Sequence, residues 1–218
     1  MQVIRSKDLL ITFALSLGLL LGGVVILFRA TEGGAAFTTE QLRRAEVAQQ
    51  ARLTPDFALV DSLGQQTRLH QFLAKDKKIW IADFVYTRCQ TLCSALGTVF
   101  QRLQQSIIEQ GLQNQVGLLS ISFDPRNDTP AALFQYQQRM RLDPAVWQIV
   151  SLQSESDRRA LLDSFGIIVI PAPLGEFEHN AALHMLTPEG NLVQIVDLGE
   201  ADIAVNLALH LVQQRKAK

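Results

Sequence analysis

Twenty consecutive uncharged residues, Leu9 to Phe28 (LLITFALSLGLLLGGVVILF), constrain this chain before anything else does. As a helix rising 1.5 Å per residue, such a run spans about 30 Å, the hydrocarbon thickness of a bilayer. Arg5 and Lys7 precede it, and Arg29 and Glu32 follow. Positive charge at the leading end favours keeping that end in the cytoplasm. The reading is a cytoplasmic tail over 1–8, a single-pass inner-membrane anchor over 9–28, and a body on the extracytoplasmic, periplasmic side. A cleaved signal peptide competes with it. Its apolar region would normally run about 7–15 residues, and Gly33-Gly34-Ala35-Ala36 offers a place to cut. Either outcome exports the remainder.

Beyond the apolar run, Thr31 to Phe37 reads as a tether. TTEQLRRAEVAQQ reads as a short polar helix with Thr38 or Thr39 as N-cap. Together they make a linker over 29–52. One domain of ordinary size follows over 53–218. The chain carries 20 Lys+Arg against 21 Asp+Glu, so no general basic surface exists to attract nucleic acid. Its 48% apolar content is enough to bury a core.

IWIADFVY, ending at Tyr86, is a β-branched and aromatic run, as expected of a strand buried on both faces. Leu96, Val99, Phe100, Leu103 and Ile107 then form one helical stripe that Gly111 can end. Val116 to Phe123 is a second buried strand. Thr129-Pro130 opens another helix, with Thr as cap and Pro at the first helical position. Trp147 to Ser151 is a short strand, and Ser154 caps a helix ending at Gly166. Ala182–Thr187 and Leu192–Asp197 flank a Pro-Glu-Gly-Asn turn as a hairpin. Ile203, Leu207 and Leu211 mark a last helix, and Asp56 to Leu69 adds an early hairpin turning at Gly64. Alternating strands and helices imply an α/β fold with a mainly parallel central sheet and an antiparallel hairpin at one side. This is the thioredoxin-like arrangement with additions.

The only two cysteines, Cys89 and Cys93, fall where the first buried strand ends and the striped helix begins. Carboxyl ends of parallel strands are the usual functional edge of such sheets. A cysteine in the first helical turn gains thiolate character from the helix dipole and from unpaired N–H groups. Three uses compete. A structural disulfide would close a very small loop, which stabilises little. A redox dithiol would have three residues between the cysteines, where such enzymes usually have two. A metal half-site completed elsewhere suits copper better than zinc, because no second cysteine pair exists and two thiolates plus an imidazole can hold Cu(I) or Cu(II).

Four histidines can supply that imidazole. His210 reads as a boundary residue of the last helix. His70 precedes a short turn. His184 alternates with Ala182 and Leu186 within a strand and reads as packed. His179 sits in a loop after Pro171, Pro173 and Gly175, at a strand mouth. His179 and His184 both remain candidates on these grounds.

FVYTRCQTLC, SISFDPRNDTP and HNAALHMLTPEG, three motifs in this order, resemble the Sco/SenC family of membrane-tethered copper proteins in cytochrome c oxidase assembly. The resemblance runs from about Thr54 to Asp197 and includes the anchor. It implies a thioredoxin-like fold and copper bound by Cys89, Cys93 and one histidine. In that family the histidine lies nine residues before the proline of a P-[DE]-G turn, and counting back from Pro188 gives His179. Where the family commonly has proline after each cysteine and an acidic residue between them, this chain has Gln90, Ser94 and Thr91. Loss of a nearby carboxylate makes thiolates easier to form.

The resemblance implies a metallochaperone that binds copper and delivers it to the CuA site of oxidase subunit II, or to another copper protein. The alternative is a thiol–disulfide reductase keeping the oxidase cysteines reduced. In it Cys89 attacks, Cys93 resolves, and the pair cycles through a disulfide bond. His179 discriminates, because copper needs it and thiol exchange does not. A peroxiredoxin-like reading fails on spacing, since Thr87 stands two residues before Cys89 instead of three. Asp128 is expected to cap the helix beginning at Thr129. Asp124 ends a strand on the cysteine edge and can serve the site as an acceptor.

Overall fold

The structure, a computed structural model, describes residues 6–31, 38–88, 92–172 and 177–216. They divide into two units, Met1–Gln49 and Gln50–Lys218. The first holds α1 (Ser6–Ala30) and α2 (Thr39–Gln49). Leu9–Ala30 is long and apolar enough to cross a membrane. Thr38 caps α2 in a reciprocal box: the Gln41 N–H donates to Thr38 Oγ1 (3.1 Å), and the Thr38 N–H donates to Gln41 Oε1 (3.2 Å). Apart from Thr31, the tether expected over 31–37, with its small-residue stretch, lies outside the described residues.

The second unit is built on β1 (Arg52–Leu53), β2 (Ala58–Asp61), β3 (Gln66–Arg68), α3 (Leu69–Lys75), β4 (Ile79–Val85), α4 (Leu92–Glu109), β5 (Val116–Ser122), α5 (Pro130–Met140) and β6 (Trp147–Leu152). It continues with α6 (Arg158–Phe165), β7 (Val169–Pro171), β8 (Phe177–His179), β9 (Ala182–Leu186), β10 (Asn191–Asp197) and α7 (Ala204–Lys216). Eight strands form one sheet in the order β1-β10-β9-β4-β5-β6-β2-β3, and β7 and β8 pair separately. The β4-β5-β6 core is parallel and its flanks antiparallel. This is the expected thioredoxin-like α/β arrangement. Every residue of β4 and β5 is buried, because helices cover both faces of the core. Trp80 and Phe84 meet Phe72 of α3 and Phe165 of α6 on one face. On the other, Phe100 of α4 packs on Trp147, and α7 lies over β4 and β5.

Several local expectations hold. Thr129 caps α5 by accepting from the Ala132 N–H, with Pro130 at the first helical position. Gly166 ends α6 in the left-handed conformation. Gly190, at φ +84°, closes the β9–β10 turn, and a Cβ there would lie 2.5 Å from the His70 ring, so the position excludes other residues on two counts.

Other expectations need correction. His70 lies in the first turn of α3, a helix that its sequence hides: Arg68 provides no side-chain cap, and only Leu69 and Leu73 are buried. The buried face of α7 is Ala204, Val205, Ala208 and Val212, while Ile203 is half exposed. Small residues let this helix lie close to the sheet, and Leu207 and Leu211, which mark the helix in the sequence, are only half buried. His179 is not in a loop. It ends β8, whose three residues pair with β7 in the register Val169↔His179 and Pro171↔Phe177. Pro171, Pro173 and Gly175 carry turn chemistry that masks so short a hairpin.

Candidate metal centre at the carboxyl edge of the sheet

β4 and β5 run side by side and end together at Val85 and Ser122. The Phe123 N–H extends the pairing by donating to the Val85 carbonyl (3.1 Å). Tyr86, Thr87 and Arg88 lead from β4 toward the cysteines. Cys89, Gln90 and Thr91 lie outside the described residues. Cys93 is the second residue of α4, so its backbone stands in the first helical turn, as expected, where the dipole favours a thiolate. Its side chain is not among those described, nor is that of Ser94.

The approach to the cysteines is fixed from three sides at Thr87. Its N–H donates to Asp128 Oδ2 (3.0 Å), its hydroxyl to Asp128 Oδ1 (2.6 Å), and its carbonyl accepts from Arg139 of α5 (2.8 Å). The Ser122 hydroxyl also donates to Asp128. Asp128 therefore does not cap α5, as its position had implied. Thr129 does that, and the Asp128 carboxylate turns inward to hold the backbone two residues before Cys89. Burial raises its pKa above the ordinary carboxylate range, and the donors from Ser122 and Thr87 counter part of that rise. Asp124, almost fully buried, accepts from Arg88 (3.1 Å) and from Asn127 (2.9 and 3.0 Å). The DPRNDTP segment thus anchors both residues in front of the cysteine. Its pattern was visible in sequence, but Arg139 had no local signal, since its contact crosses 52 positions.

His179 reaches the same edge. Its ring stands edge-on to Phe123, centroids 5.4 Å apart. Its Nδ1 lies 2.9 Å from the Asn180 carbonyl. A carbonyl can only accept, so Nδ1 carries a proton, and in the neutral ring the lone pair then falls on Nε2, the arrangement a metal-ligating imidazole needs. Tyr86 and Phe123, the residues just after β4 and β5, both contact Phe177. Arg158 of α6 stacks over the Phe177 ring at 4.5 Å and the Phe123 ring at 5.6 Å.

The other histidines lie elsewhere. His184 is fully buried in β9, edge-on to Phe84 and Phe165. Its Nε2 sits 3.1 Å from the Phe165 carbonyl, which makes it the packed histidine expected. His70 Nε2 bonds the Thr54 carbonyl (2.8 Å) beneath the β9–β10 turn, at the opposite end of the sheet. His210 is exposed on α7 beside Gln214. Among the described residues no cluster of three His, Cys, Asp or Glu side chains is close enough to hold a metal by itself.

The family model described as SCO1/SenC matches residues 45–211. The chain belongs to the SCO1/SenC family. Among SCO1/SenC relatives, the SCO1 protein homolog of Bacillus subtilis is 28% identical over 120 residues, covering 54% of this chain and 61% of that protein. The chain thus spans about three fifths of that relative's length. BsSco, described as a member of the Sco family of cytochrome c oxidase assembly proteins with a disulfide switch, superposes with a TM-score of 0.64. It is 22% identical over 75% of this chain and 95% of its own. Arabidopsis thaliana ScoI, solved with copper bound, superposes at 0.61, with 19% identity over 77% of this chain and 100% of its own. These likenesses carry the fold.

One buried group on the same strand escaped sequence reasoning. Asp83 of β4 is inaccessible to solvent. Among the described residues neither carboxylate oxygen has a hydrogen-bond partner of normal geometry. Burial pushes its pKa up to about 7, and Ser120, its register partner on β5, offsets only part of that rise. Its place in an apolar run implied burial, but nothing local shows that the carboxylate lacks a partner there.

Proposed function

We propose that the protein is a membrane-anchored copper chaperone, its folded domain on the extracytoplasmic side. It takes copper as cargo on Cys89, Cys93 and His179 and passes it to the CuA site of cytochrome c oxidase subunit II or to another copper protein. The observation that carries this reading is the His179 ring, set at the edge from which the cysteine segment departs, against Phe123, and oriented by its Nδ1 bond to the Asn180 carbonyl. Two thiolates and one imidazole suit copper in both oxidation states. The copper-bound Arabidopsis ScoI, with the same fold, supports it. Transfer would proceed by ligand exchange, with incoming ligands replacing Cys89, Cys93 and His179 in turn and no net redox change.

The test is copper quantification on the reduced full-length chain in detergent. One Cu(I) per chain is expected. Cys89→Ser or Cys93→Ser should abolish binding of Cu(I) and Cu(II), and His179→Ala should weaken Cu(II) more than Cu(I). If His184→Ala has that effect and His179→Ala has none, the ligand set is wrong.

A second reading, a thiol–disulfide reductase, draws on the disulfide switch of BsSco and on Cys93 in the first turn of α4. Added copper separates the two. It should restore oxidase activity to a deletion strain under the chaperone reading and do nothing under the reductase reading.

A further inference from the structure

β8 is a short edge strand, and its own hairpin leaves part of its backbone unbonded. In an antiparallel pair, hydrogen-bonded and non-bonded residue pairs alternate. The Asn180 N–H donates to the Ile168 carbonyl, so Ile170/Glu178 is the next bonded pair. Pro171/Phe177 is a non-bonded one. The main-chain groups of Phe177 therefore point away from β7, toward the main sheet. One side chain answers both. The Tyr86 hydroxyl donates to the Phe177 carbonyl (3.1 Å) and accepts from the Phe177 N–H (3.0 Å). Its ring packs edge-on against Phe177 (5.2 Å) and tilted on Phe123 (5.7 Å), and Tyr86 is itself buried.

Tyr86 thus ties two segments that are 91 positions apart in sequence. It stands three residues before Cys89 and grips the backbone two residues before His179. The adjoining Thr87 is clamped by Asp128 and Arg139, so the tyrosine end of the tie cannot follow a shift of the hairpin. Any displacement of β8 that carries His179 away from the cysteine edge must break both Tyr86 bonds.

We infer that Tyr86 is a positioning residue for copper: its hydroxyl latches the β7–β8 hairpin to the strand that leads into the cysteines and so sets where His179 is presented. This rests on the ligand set proposed above and adds a residue that touches no metal. Because the latch acts through the imidazole, it should matter for Cu(II), which uses His179, and not for Cu(I), which two thiolates can hold. Loss of two neutral hydrogen bonds should weaken Cu(II) binding on the order of tenfold.

The experiment compares wild type, Tyr86→Phe, His179→Ala and the double variant, each as the reduced full-length chain in detergent. Cu(II) and Cu(I) are titrated separately, and amide hydrogen exchange at Phe177 is followed without metal. Tyr86→Phe keeps the ring and removes only the hydroxyl, and unchanged tryptophan fluorescence would verify the core. Four results are expected from Tyr86→Phe: about tenfold weaker Cu(II) binding, unchanged Cu(I) binding, faster exchange at Phe177, and no added loss of Cu(II) affinity in the His179→Ala background. The inference fails if Tyr86→Phe weakens Cu(II) equally with and without His179. It also fails if exchange at Phe177 quickens while Cu(II) affinity stays within twofold of wild type. If His179→Ala itself leaves Cu(II) binding intact, the ligand set falls, and the latch role with it.

Discussion

Asp83→Asn should make the protein more stable, by an amount that depends on pH. In the unfolded chain the carboxyl titrates near its ordinary value of 3.8, while in the fold it titrates at about 7. Below about pH 4 both states are protonated and burial costs nothing in ionisation. Between these values the unfolded state loses its proton and the folded state keeps it, so stability falls as pH rises, by about 1.4 kcal/mol per pH unit. Above pH 7 both states are ionised and the penalty levels off on the order of 4 kcal/mol. Asparagine has the same shape and no titration. Its buried amide carries a desolvation cost of its own, but one that does not change with pH. The stability difference between Asp83→Asn and wild type should therefore shift in the variant's favour by about 2.5 kcal/mol between pH 5 and pH 8. The chain's two tryptophans, Trp80 and Trp147, are both buried in the domain, so denaturant unfolding followed by their fluorescence reads this unit alone. A difference that stays flat from pH 4 to pH 8 would refute the reasoning.

Asp128→Ala strands the Thr87 N–H and the Thr87 and Ser122 hydroxyls in a buried site. It should cost about 3 kcal/mol in the same unfolding assay, and a loss under about 1 kcal/mol would show that the Thr87 clamp is replaced by water. A reporter enzyme that works only outside the cytoplasm, fused after residue 218, should be active. Activity of a cytoplasm-only reporter instead would reverse the topology.

Features that depend on a few neighbouring residues were legible in the sequence. The apolar runs of β4 and β5, the Thr129-Pro130 helix start and the glycine stops at Gly166 and Gly190 all express local sterics and local hydrogen bonds. Features that depend on distant partners were not. Asp128 resembles a helix cap because it stands beside one, and only the fold shows Thr87 within its reach. The buried face of α7 is set by how closely that helix approaches the sheet, which favours Ala204 and Ala208 over the larger Leu207. At the candidate site, the residues alone leave His179 and His184 open and only the family resemblance points to His179, while its hairpin and the Tyr86 tie rest on a backbone pairing that two prolines conceal.

The position of α7 bears on the order in which the protein can be made. It lies over β4 and β5, the strands whose residues are all buried, yet it follows every strand of the sheet in the sequence. Until residues 204–212 leave the ribosome, α4 alone shields that side and the part of β4 and β5 beneath α7 stays open, although those strands were synthesised some 80–120 positions earlier. Completion of the core is thus a late event, with a nascent intermediate that presents a wide apolar surface. Such an intermediate is a natural client for a holding chaperone. Truncation before Ala204 should accordingly give a chain that aggregates, even though every residue of the candidate copper site is present in it.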